Sequence, residues 1–576
     1  MAPHIDVPPP DFKTPPGTVR ILRDEREDDG PEFILQPKPS DDPNDPLVQL
    51  DTSSEDGQLC SYSGHHGSHL YPVRSSSLTS LPPIFWVLWI PEFGWTYDQL
   101  NNAQAINLVG TAVGCIFFIP LAVKYGRRSI YIVSTAIMVA TAAWQARMTN
   151  IIDLYLSSLI FGLASATNET IVQMTVADIF FIHQRGTANG IYMVMVMIGS
   201  FLSPIIAGYM AEDGNWRLCF WVTFAVELVL LIYFCLFFEE SKYIMHIEAQ
   251  VGQECEPSEA AITKKPPVSE DIRHTATTSS YISNTGNESI NPNIPVLTYR
   301  ERLRLVTRTD ESLLKSAYQP FIILFRFPAV MYTALQYAFC LCWISAQASV
   351  ISIAFTAPPY NFGTVGVGNM SLGIFIGNIL GSIYGGVISD RSVRWFARRN
   401  YGFYEPEMRL HLNHLPALCV GSGLIMFGVT TAKANEQGMH WIYPSIGGAI
   451  FGFGIGSISD IALCVLIDSY QSVTGEAFVG VAFIRNCFSI AIYFALVPWM
   501  NAQGIQNMFI VMGVWGTVMA FMHVPLLLWG KRIREKTAPV YEKMAKEREG
   551  GVCEPERVVT ILSSRYSCCH RCQGME

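Results

Sequence analysis

Apolar residues are gathered in two blocks of the chain, and polar residues fill the three segments around those blocks. A membrane-spanning helix needs about 20 mostly apolar residues. In the first block such stretches cover Ala103–Val123, Ile130–Met148, Leu154–Ile182, Asn189–Met210 and Arg217–Phe238. In the second block they cover Phe327–Val350, Gly366–Ser389, Leu415–Ala432, Trp441–Asp468, Glu476–Trp499 and Asn507–Gly530. The pattern predicts an all-α integral membrane protein with five membrane helices in one bundle and six in another.

The polar segments predict how the bundles are connected. Residues 1–80 are rich in Pro, Asp and Ser, and we expect a disordered N-terminal region without packed structure. Residues 239–326 include the low-complexity run HTATTSSYISNTGNES and predict a flexible linker. The organisation is therefore a first bundle over 81–238, a second over 327–530 and a tail over 531–576.

Composition and charge narrow the class of protein. Charged residues make up 15% of the chain, against about 25% in soluble domains, so a soluble enzyme is excluded. The net charge of −9 favours no nucleic-acid partner. The 14 cysteines are scattered, and the tail run at Cys568, Cys569, His570 and Cys572 has no second cluster to complete a zinc site. We predict no metal, no cofactor and no enzymatic activity.

Basic residues of the short loops predict the orientation in the membrane, because cytosolic loops are rich in Lys and Arg. One basic loop contains Lys124, Arg127 and Arg128, and a second runs from Arg391 to Arg409. The loop around Asn150 contributes only Arg147, and the loop after Ala432 only Lys433. This alternation places the linker and the C-terminus in the cytosol.

The first bundle lacks one helix if the N-terminus is also cytosolic. The only candidate before Ala103 has an uninterrupted apolar core at Ile84–Ile90, which spans about 10 Å as a helix. That length does not cross a hydrocarbon core of about 30 Å. We expect a stub at most; the alternative is that Pro82–Trp95 forms a shallow re-entrant or interfacial segment, rich in Trp.

The basic loops carry motifs that resemble the major facilitator superfamily. Its signature reads Gly-x-x-x-Asp-Arg/Lys-x-Gly-Arg-Arg between its second and third helices. The residues that match are Lys124, Gly126, Arg127 and Arg128 in the first block, and Gly386, Asp390, Arg391 and Arg394 in the second. Ile119, Val123 and Val393 depart from the pattern. A second element, an acid seven residues before Arg-Gly, matches Asp178 and Arg185, and Asp468 takes the comparable place in the second block.

The resemblance implies two pseudo-symmetric six-helix bundles that work by alternating access, with the first helix truncated or missing. It implies that the motif residues hold the cytosolic gate of the transporter closed. The alternative is that their charges only determine the orientation of the chain in the membrane. The phrases GTVRIL, PSDDPNDPL, RNYGFYEPEMRL and WGKRIRE are closest to fungal drug:proton antiporters of twelve helices. This similarity covers about residues 17–47 and 92–548, and residues 48–80 interrupt it. A mis-assembled or alternatively spliced message is our hypothesis for the interruption.

Two acids lie within predicted membrane helices, where a charge is costly and points to function. Glu169 follows Asn168 and lies one turn before Gln173, and Asp460 lies in the second block. The spacing from Asp178 to Asp468 places Asp460 within one residue of the position equivalent to Glu169. We predict a substrate or proton site at Glu169, Asp460, Asn168 and Gln173; the alternative is a neutral carboxyl that is hydrogen-bonded inside a bundle.

Small residues recur at four-residue spacing, which lets membrane helices approach closely. One ridge comprises Gly373, Gly377, Gly381 and Gly385, and a second set comprises Gly199, Ser203, Pro204 and Gly208. The second set resembles a superfamily motif of exporters. We expect both ridges at the interface between the bundles, where they let the halves rock; the alternative is ordinary close packing.

These observations predict a monomeric, proton-coupled secondary transporter in the lipid bilayer of a fungal plasma membrane rather than a vacuolar one. The expected substrate is a small organic molecule, and a cationic one fits because paired acids suit an amine. The expected direction is export. Uptake of a polyamine or another nutrient is the second hypothesis. A membrane sensor without transport, or an inactive mis-spliced chain, is the third.

Overall fold

The computed structural model describes residues 15–20, 81–179, 195–238, 303–306, 313–400, 403–437, 439–470 and 473–549. In these parts of the chain the first half contains α1 (Pro82–Phe93), α2 (Tyr97–Tyr125), α3 (Arg127–Ala146), α4 (Ile151–Ile179), α5 (Met195–Met210) and α6 (Trp216–Leu236). The second half contains α7 (Leu313–Arg326), α8 (Pro328–Ala354), α9 (Thr364–Arg399), α10 (His414–Gln437), α11 (Ile442–Ser469), α12 (Thr474–Ala520) and α13 (His523–Glu549). Two short strands, β1 (Val19–Arg20) and β2 (Phe403–Tyr404), pair antiparallel.

Helices occupy all eleven predicted membrane segments as far as the structure describes them, and the segment Asn189–Met210 is described from Met195 onward. Nine stretches of the described residues are long and apolar enough to span a bilayer, and Met195–Met210 is a shorter apolar helix. The last of the nine contains two predicted helices, because Gly504 adopts φ 75° and bends α12. We call the face that carries the basic loops cytosolic and the opposite face outer.

The missing first helix is replaced by α1, which is 12 residues long and spans about 18 Å. It is therefore too short to cross the membrane, but it is longer than the expected stub. Phe85, Trp86 and Trp89 are fully buried within the protein, so they do not lie at the membrane surface as an interfacial segment would place them. Its C-terminal end is closed by Gly94 in the left-handed conformation, whose N–H donates to the Ile90 carbonyl.

Aromatic packing explains why so short a helix is held firmly. The Trp89 and Trp216 rings lie 5.5 Å apart, and the Phe85 ring lies 5.6 Å from that of Phe220 on α6. The Glu92 carboxylate accepts hydrogen bonds from Trp216 Nε1 at 2.7 Å and Arg217 Nη1 at 3.0 Å. Burial of large rings supplies the stability that the length of α1 does not.

The N-terminal region departs from the expectation for residues 1–80, because residues 15–20 pack on the second half. Val19 lies opposite Tyr404 in the strand pair. The Arg534 guanidinium, which is 2% exposed, donates to the Pro16 carbonyl at 2.5 Å and to both Glu407 carboxylate oxygens at 2.6 and 2.8 Å. A buried Arg–carboxylate pair thus ties this segment to α13.

Two other polar segments are also structured in part. The linker ends in the helix α7, and residues 303–306 contact the first half. Helix α13 continues through the start of the predicted tail to Glu549. The Cys568–Cys572 run lies outside the described residues.

Candidate functional site

A central cavity lies between the two halves. Its volume is about 220 Å³, and α1, α2, α4 and α5 line it from one side while α8, α9 and α12 line it from the other. The polar residues of the lining are Gln104, Asn107, Thr111, Ser165, Ser200, Ser345, Ser352, Ser371, Arg485 and Tyr493. Among the lining residues that the structure describes, Arg485 is the one that carries a charge. The cavity is therefore a hydroxyl- and amide-lined chamber with a guanidinium in its wall.

The short helix α1 supplies part of the cavity wall through Pro83 and Ile84. These residues lie in its first turn, where a full-length first helix would continue towards the cytosol. The aromatic contacts at the other end of α1 fix the position of this turn. The outer part of the expected first helix is thus retained and faces the cavity.

The halves contact each other on the outer side of the cavity. Tyr97 Oη and Thr356 Oγ1 lie 3.2 Å apart, and the Thr364 hydroxyl donates to the Gly208 carbonyl at 3.0 Å. A Cβ placed on Gly208 would lie 2.7 Å from the Thr364 carbonyl oxygen. The close approach of α5 and α9 therefore depends on glycine at this position.

The halves also contact each other on the cytosolic side. Cys115 and Ile119 of α2 and Ala166 of α4 form a buried cluster with Val479 and Ala482 of α12. Contacts between the halves thus lie on both the outer and the cytosolic side of the cavity in the described part of the chain. A chamber at the junction of two helix bundles is the place where secondary transporters bind their substrate.

Only one of the two predicted membrane acids has a described side chain. Asp460 lies on α11 and accepts a hydrogen bond from Ser382 of α9, with its Cβ beside Gly385. It is not among the residues that line the cavity. Helix α4 contains the backbone of Asn168, Glu169 and Gln173, but their side chains lie outside the described part of the molecule.

The predicted gate residues of the first half hold the cytosolic end of that half together. Arg128 is 3% exposed and donates to the Cys235 carbonyl at the end of α6, at 2.7 Å, and to the Leu303 carbonyl of the linker. Gly126 ends α2, and Lys124 lies over the Tyr125 ring. Arg127 begins α3. The Asp178 side chain and Arg185 lie outside the described residues.

The second half joins two predicted gate acids through Arg409, which the motif did not identify. Arg409 contacts Asp390 at 2.7 Å and Asp468 at 3.2 Å, whereas the motif residues Arg391 and Arg394 are exposed. The Tyr404 hydroxyl also donates to Asp468. Burial, and then the Asp468 carboxylate, raise the pKa of the Tyr404 phenol well above its ordinary value, so this donor keeps its proton at neutral pH.

The ridge from Gly373 to Gly385 does not lie between the halves as expected. It packs on α11 within its own half: a Cβ on Gly377 would overlap the Ala449 carbonyl oxygen. The reason is that α11 carries a matching ridge at Gly448, Gly452 and Gly456, so the two backbones interlock.

Helix α5 and helix α9 do meet, as expected, but through other residues of α9. A Cβ on Gly368 would lie 2.9 Å from the Pro204 carbonyl oxygen, and Gly208 approaches Thr364 as described above. Gly199 is buried in a π-helical turn of α5, and Ser203 begins the α-helical part that follows it.

Two lining residues, Arg485 and Tyr493, are not among the site residues predicted from the sequence. A charge inside an apolar stretch was the available signal for Arg485. Tyr493 carried no such signal, because an aromatic residue in a membrane helix is ordinary. Gln104 and Asn107, two polar residues of the membrane helix α2, also line the cavity.

Comparison with known proteins identifies the family. The family model described as Major Facilitator Superfamily matches residues 73–484. The chain is 29% identical over 558 residues to the uncharacterized MFS-type transporter C1271.10c of Schizosaccharomyces pombe, covering 91% of this chain and 94% of that protein. It is 28% identical to Protein HOL1 of Saccharomyces cerevisiae, covering 90% and 93%. It is 24% identical to the MFS antiporter QDR3 of Candida albicans, covering 73% and 71%.

A solved structure supports the same fold. The proton:xylose symporter XylE, at 11% identity, superposes with a TM-score of 0.53 over 81% of this chain and 95% of that one. The likeness extends over both halves and agrees with the apolar helices. The chain belongs to the Major Facilitator Superfamily and is a multi-pass membrane transporter of the fungal type.

Proposed function

We propose that this protein is a proton-coupled secondary transporter that exports a small organic molecule across the fungal plasma membrane by alternating access. The observation that carries the proposal is the central cavity between the halves, which residues of both halves line. A site at the junction of two bundles is exposed to one face or the other when the bundles rock. Similarity to the MFS antiporter QDR3 supports exchange of the substrate against a second solute, for which we propose the proton.

The cavity also supports a small substrate. Its volume of about 220 Å³ is below the roughly 300–1,000 Å³ that is usual for drug-sized ligands. Hydroxyl and amide groups from several helices are donors and acceptors for a polar molecule. A small polar solute therefore fits better than a bulky apolar drug.

Glu169 and Asp460 are the proposed proton sites, with Asn168 and Gln173 beside Glu169. Position 169 follows the cavity-lining Ser165 by four residues, about one turn along the same face of α4. Asp460 lies instead at the contact of α9 and α11, where Ser382 hydrogen-bonds to it. We assign the exchange with the cavity to Glu169 and a supporting role to Asp460.

A flux experiment tests the coupling. The full chain is expressed in yeast, and movement of two small polar cations, labelled spermidine and labelled putrescine, is followed with and without a pH gradient. We expect outward, gradient-dependent movement of at least one probe. Glu169→Gln and Asp460→Asn should reduce that movement strongly without changing the amount of protein, because each substitution preserves shape.

A matched control distinguishes the acids that are proposed to couple transport to protons from a buried acid elsewhere in the protein. Glu227→Gln neutralises a fully buried acid of α6 that does not line the cavity, and it should leave coupling intact. Full flux in both Glu169→Gln and Asp460→Asn would contradict the proposed proton sites. Net accumulation of spermidine would instead support the alternative of nutrient uptake.

A further inference from the structure

Helix α7 presents an apolar stripe away from the body of the protein. Leu314 is 77% exposed and Phe325 is 72% exposed. The exposed apolar residues of this face are Leu314, Tyr318, Ile322 and Phe325. Their spacing places them within about 80° around the helix, while Ile323 and Leu324 on the other side are fully buried. The stripe is therefore a continuous surface rather than a scatter of single residues.

The depth of α7 places this stripe at the cytosolic edge of the bilayer. The Phe321 and Phe483 rings lie 5.1 Å apart, and a Cβ on Gly480 would lie 3.1 Å from the Pro320 carbonyl oxygen. Gly480 lies six residues after the start of α12 at Thr474, about 9 Å from its cytosolic end. The exposed face of α7 thus lies at the depth of the lipid near the cytosolic surface, and it adjoins the lipid-facing surface of the membrane helices.

Two basic residues flank one edge of the stripe. Lys315 and Arg326 are exposed and lie about 100° and 120° around the helix from Leu314. An apolar sector with cations along its border is the pattern of a helix that lies in the membrane interface. Phe327, in an extended conformation, then turns the chain into α8.

We propose that α7 binds anionic phospholipids of the cytosolic leaflet: the stripe enters the acyl region, and Lys315 and Arg326 contact the phosphate-bearing head groups. Positive charge at this height meets the negative surface of that leaflet. The helix packs against α2 of the first half and against α8 and α12 of the second. Bound lipid therefore stabilises a contact that crosses the boundary between the halves.

The test uses the purified full chain in nanodiscs of phosphatidylcholine, with or without phosphatidylserine. We expect the melting temperature to rise with phosphatidylserine, and the rise to shrink as salt is added. Lys315→Gln/Arg326→Gln should lose most of the rise. Lys536→Gln, which removes an exposed charge from α13, should retain it.

A second measurement keeps the proposal testable if the double variant is poorly stable. Native mass spectrometry counts the phosphatidylserine molecules that remain on the wild type and on each variant, and Lys315→Gln/Arg326→Gln should retain fewer. An undiminished temperature rise, or unchanged lipid retention, in that variant would overturn the proposal. So would a wild-type dimer that Leu314→Ser/Phe325→Ser converts to a monomer, because the stripe would then bind a second copy.

Discussion

Helix α9 makes two close contacts, one inside its own half and one across the boundary between the halves. Inside the half, four glycines from Gly373 to Gly385 interlock with the ridge of α11. Across the boundary, the close backbone approaches in the described part of the chain lie at the N-terminal end of α9, where Thr364 and Gly368 meet α5. Both contacts use small residues, but the first brings the backbones together along four successive turns. In the described residues the second brings them together at one end of α9, and a side-chain contact between Ser382 and Met197 lies further along.

The difference in extent indicates that the α9–α11 contact is permanent and that the α5–α9 contact is movable. A long interlocked ridge resists sliding, because every turn must leave its groove at once. A short contact at one end opens when the helices tilt. In a transporter that works by rocking, the α9–α11 contact keeps the second half rigid, and the α5–α9 contact is the one that must change.

The largest effect is expected from Gly377→Leu. The added side chain overlaps the Ala449 carbonyl oxygen, which is backbone and does not move aside. Overpacking of this kind costs about 1–3 kcal/mol, and we expect the upper end. Thermal unfolding of the purified protein measures the loss.

Gly386→Leu is the control for that substitution. Gly386 lies one residue beyond the ridge, and no atom lies within 4 Å of a Cβ placed there. It should melt close to the wild type. A Gly377→Leu protein that is as stable as the control would show that the ridge is not a rigid contact.

An intermediate effect is expected from Gly208→Leu, at the movable contact. The side chain meets the Thr364 carbonyl and keeps α5 and α9 apart on the outer side. We expect flux of the transported probe to fall severely, while the melting temperature falls less than in Gly377→Leu. If the two variants lose stability equally and Gly208→Leu still transports, the proposed division between rigid and movable contacts is wrong.

The smallest effect is expected from Ser382→Ala. Ser382 Oγ lies 3.6 Å from Met197 Sδ of the other half and hydrogen-bonds to Asp460 of its own half. Loss of one neutral hydrogen-bonding group costs about 0.5–1.5 kcal/mol, so a small decrease in melting temperature should follow. Abolished flux with normal stability would instead assign Ser382 to the moving surface.

Local patterns predicted the helices well because a membrane span depends on little beyond its own residues. The length and apolar character of the eleven segments, and the sidedness of the basic loops, are properties of consecutive residues. The short first helix before Ala103 was predicted for the same reason, because its length is also a property of consecutive residues. That α1 is nevertheless a buried helix depended on Trp216 and Phe220, which follow it by more than a hundred residues.

Pairing between distant segments was the part that the sequence predicted least. The ridge of α9 was recognised, but its partner was wrong, because four-residue spacing specifies a close contact without specifying which helix supplies it. Arg409 likewise joins Asp390 and Asp468 through the fold of the loop before α10, not through the motif spacing.

The sequence by itself determined a two-bundle membrane transporter with a shortened first helix, and its family. Only the tertiary structure decided that the cavity is lined by Arg485 and Tyr493, that α9 is locked to α11, and that residues 15–20 dock on the second half. The physical reason is that hydrophobicity along the chain decides whether a segment enters the membrane. The neighbours of a segment depend on shape complementarity between surfaces that are far apart in the sequence.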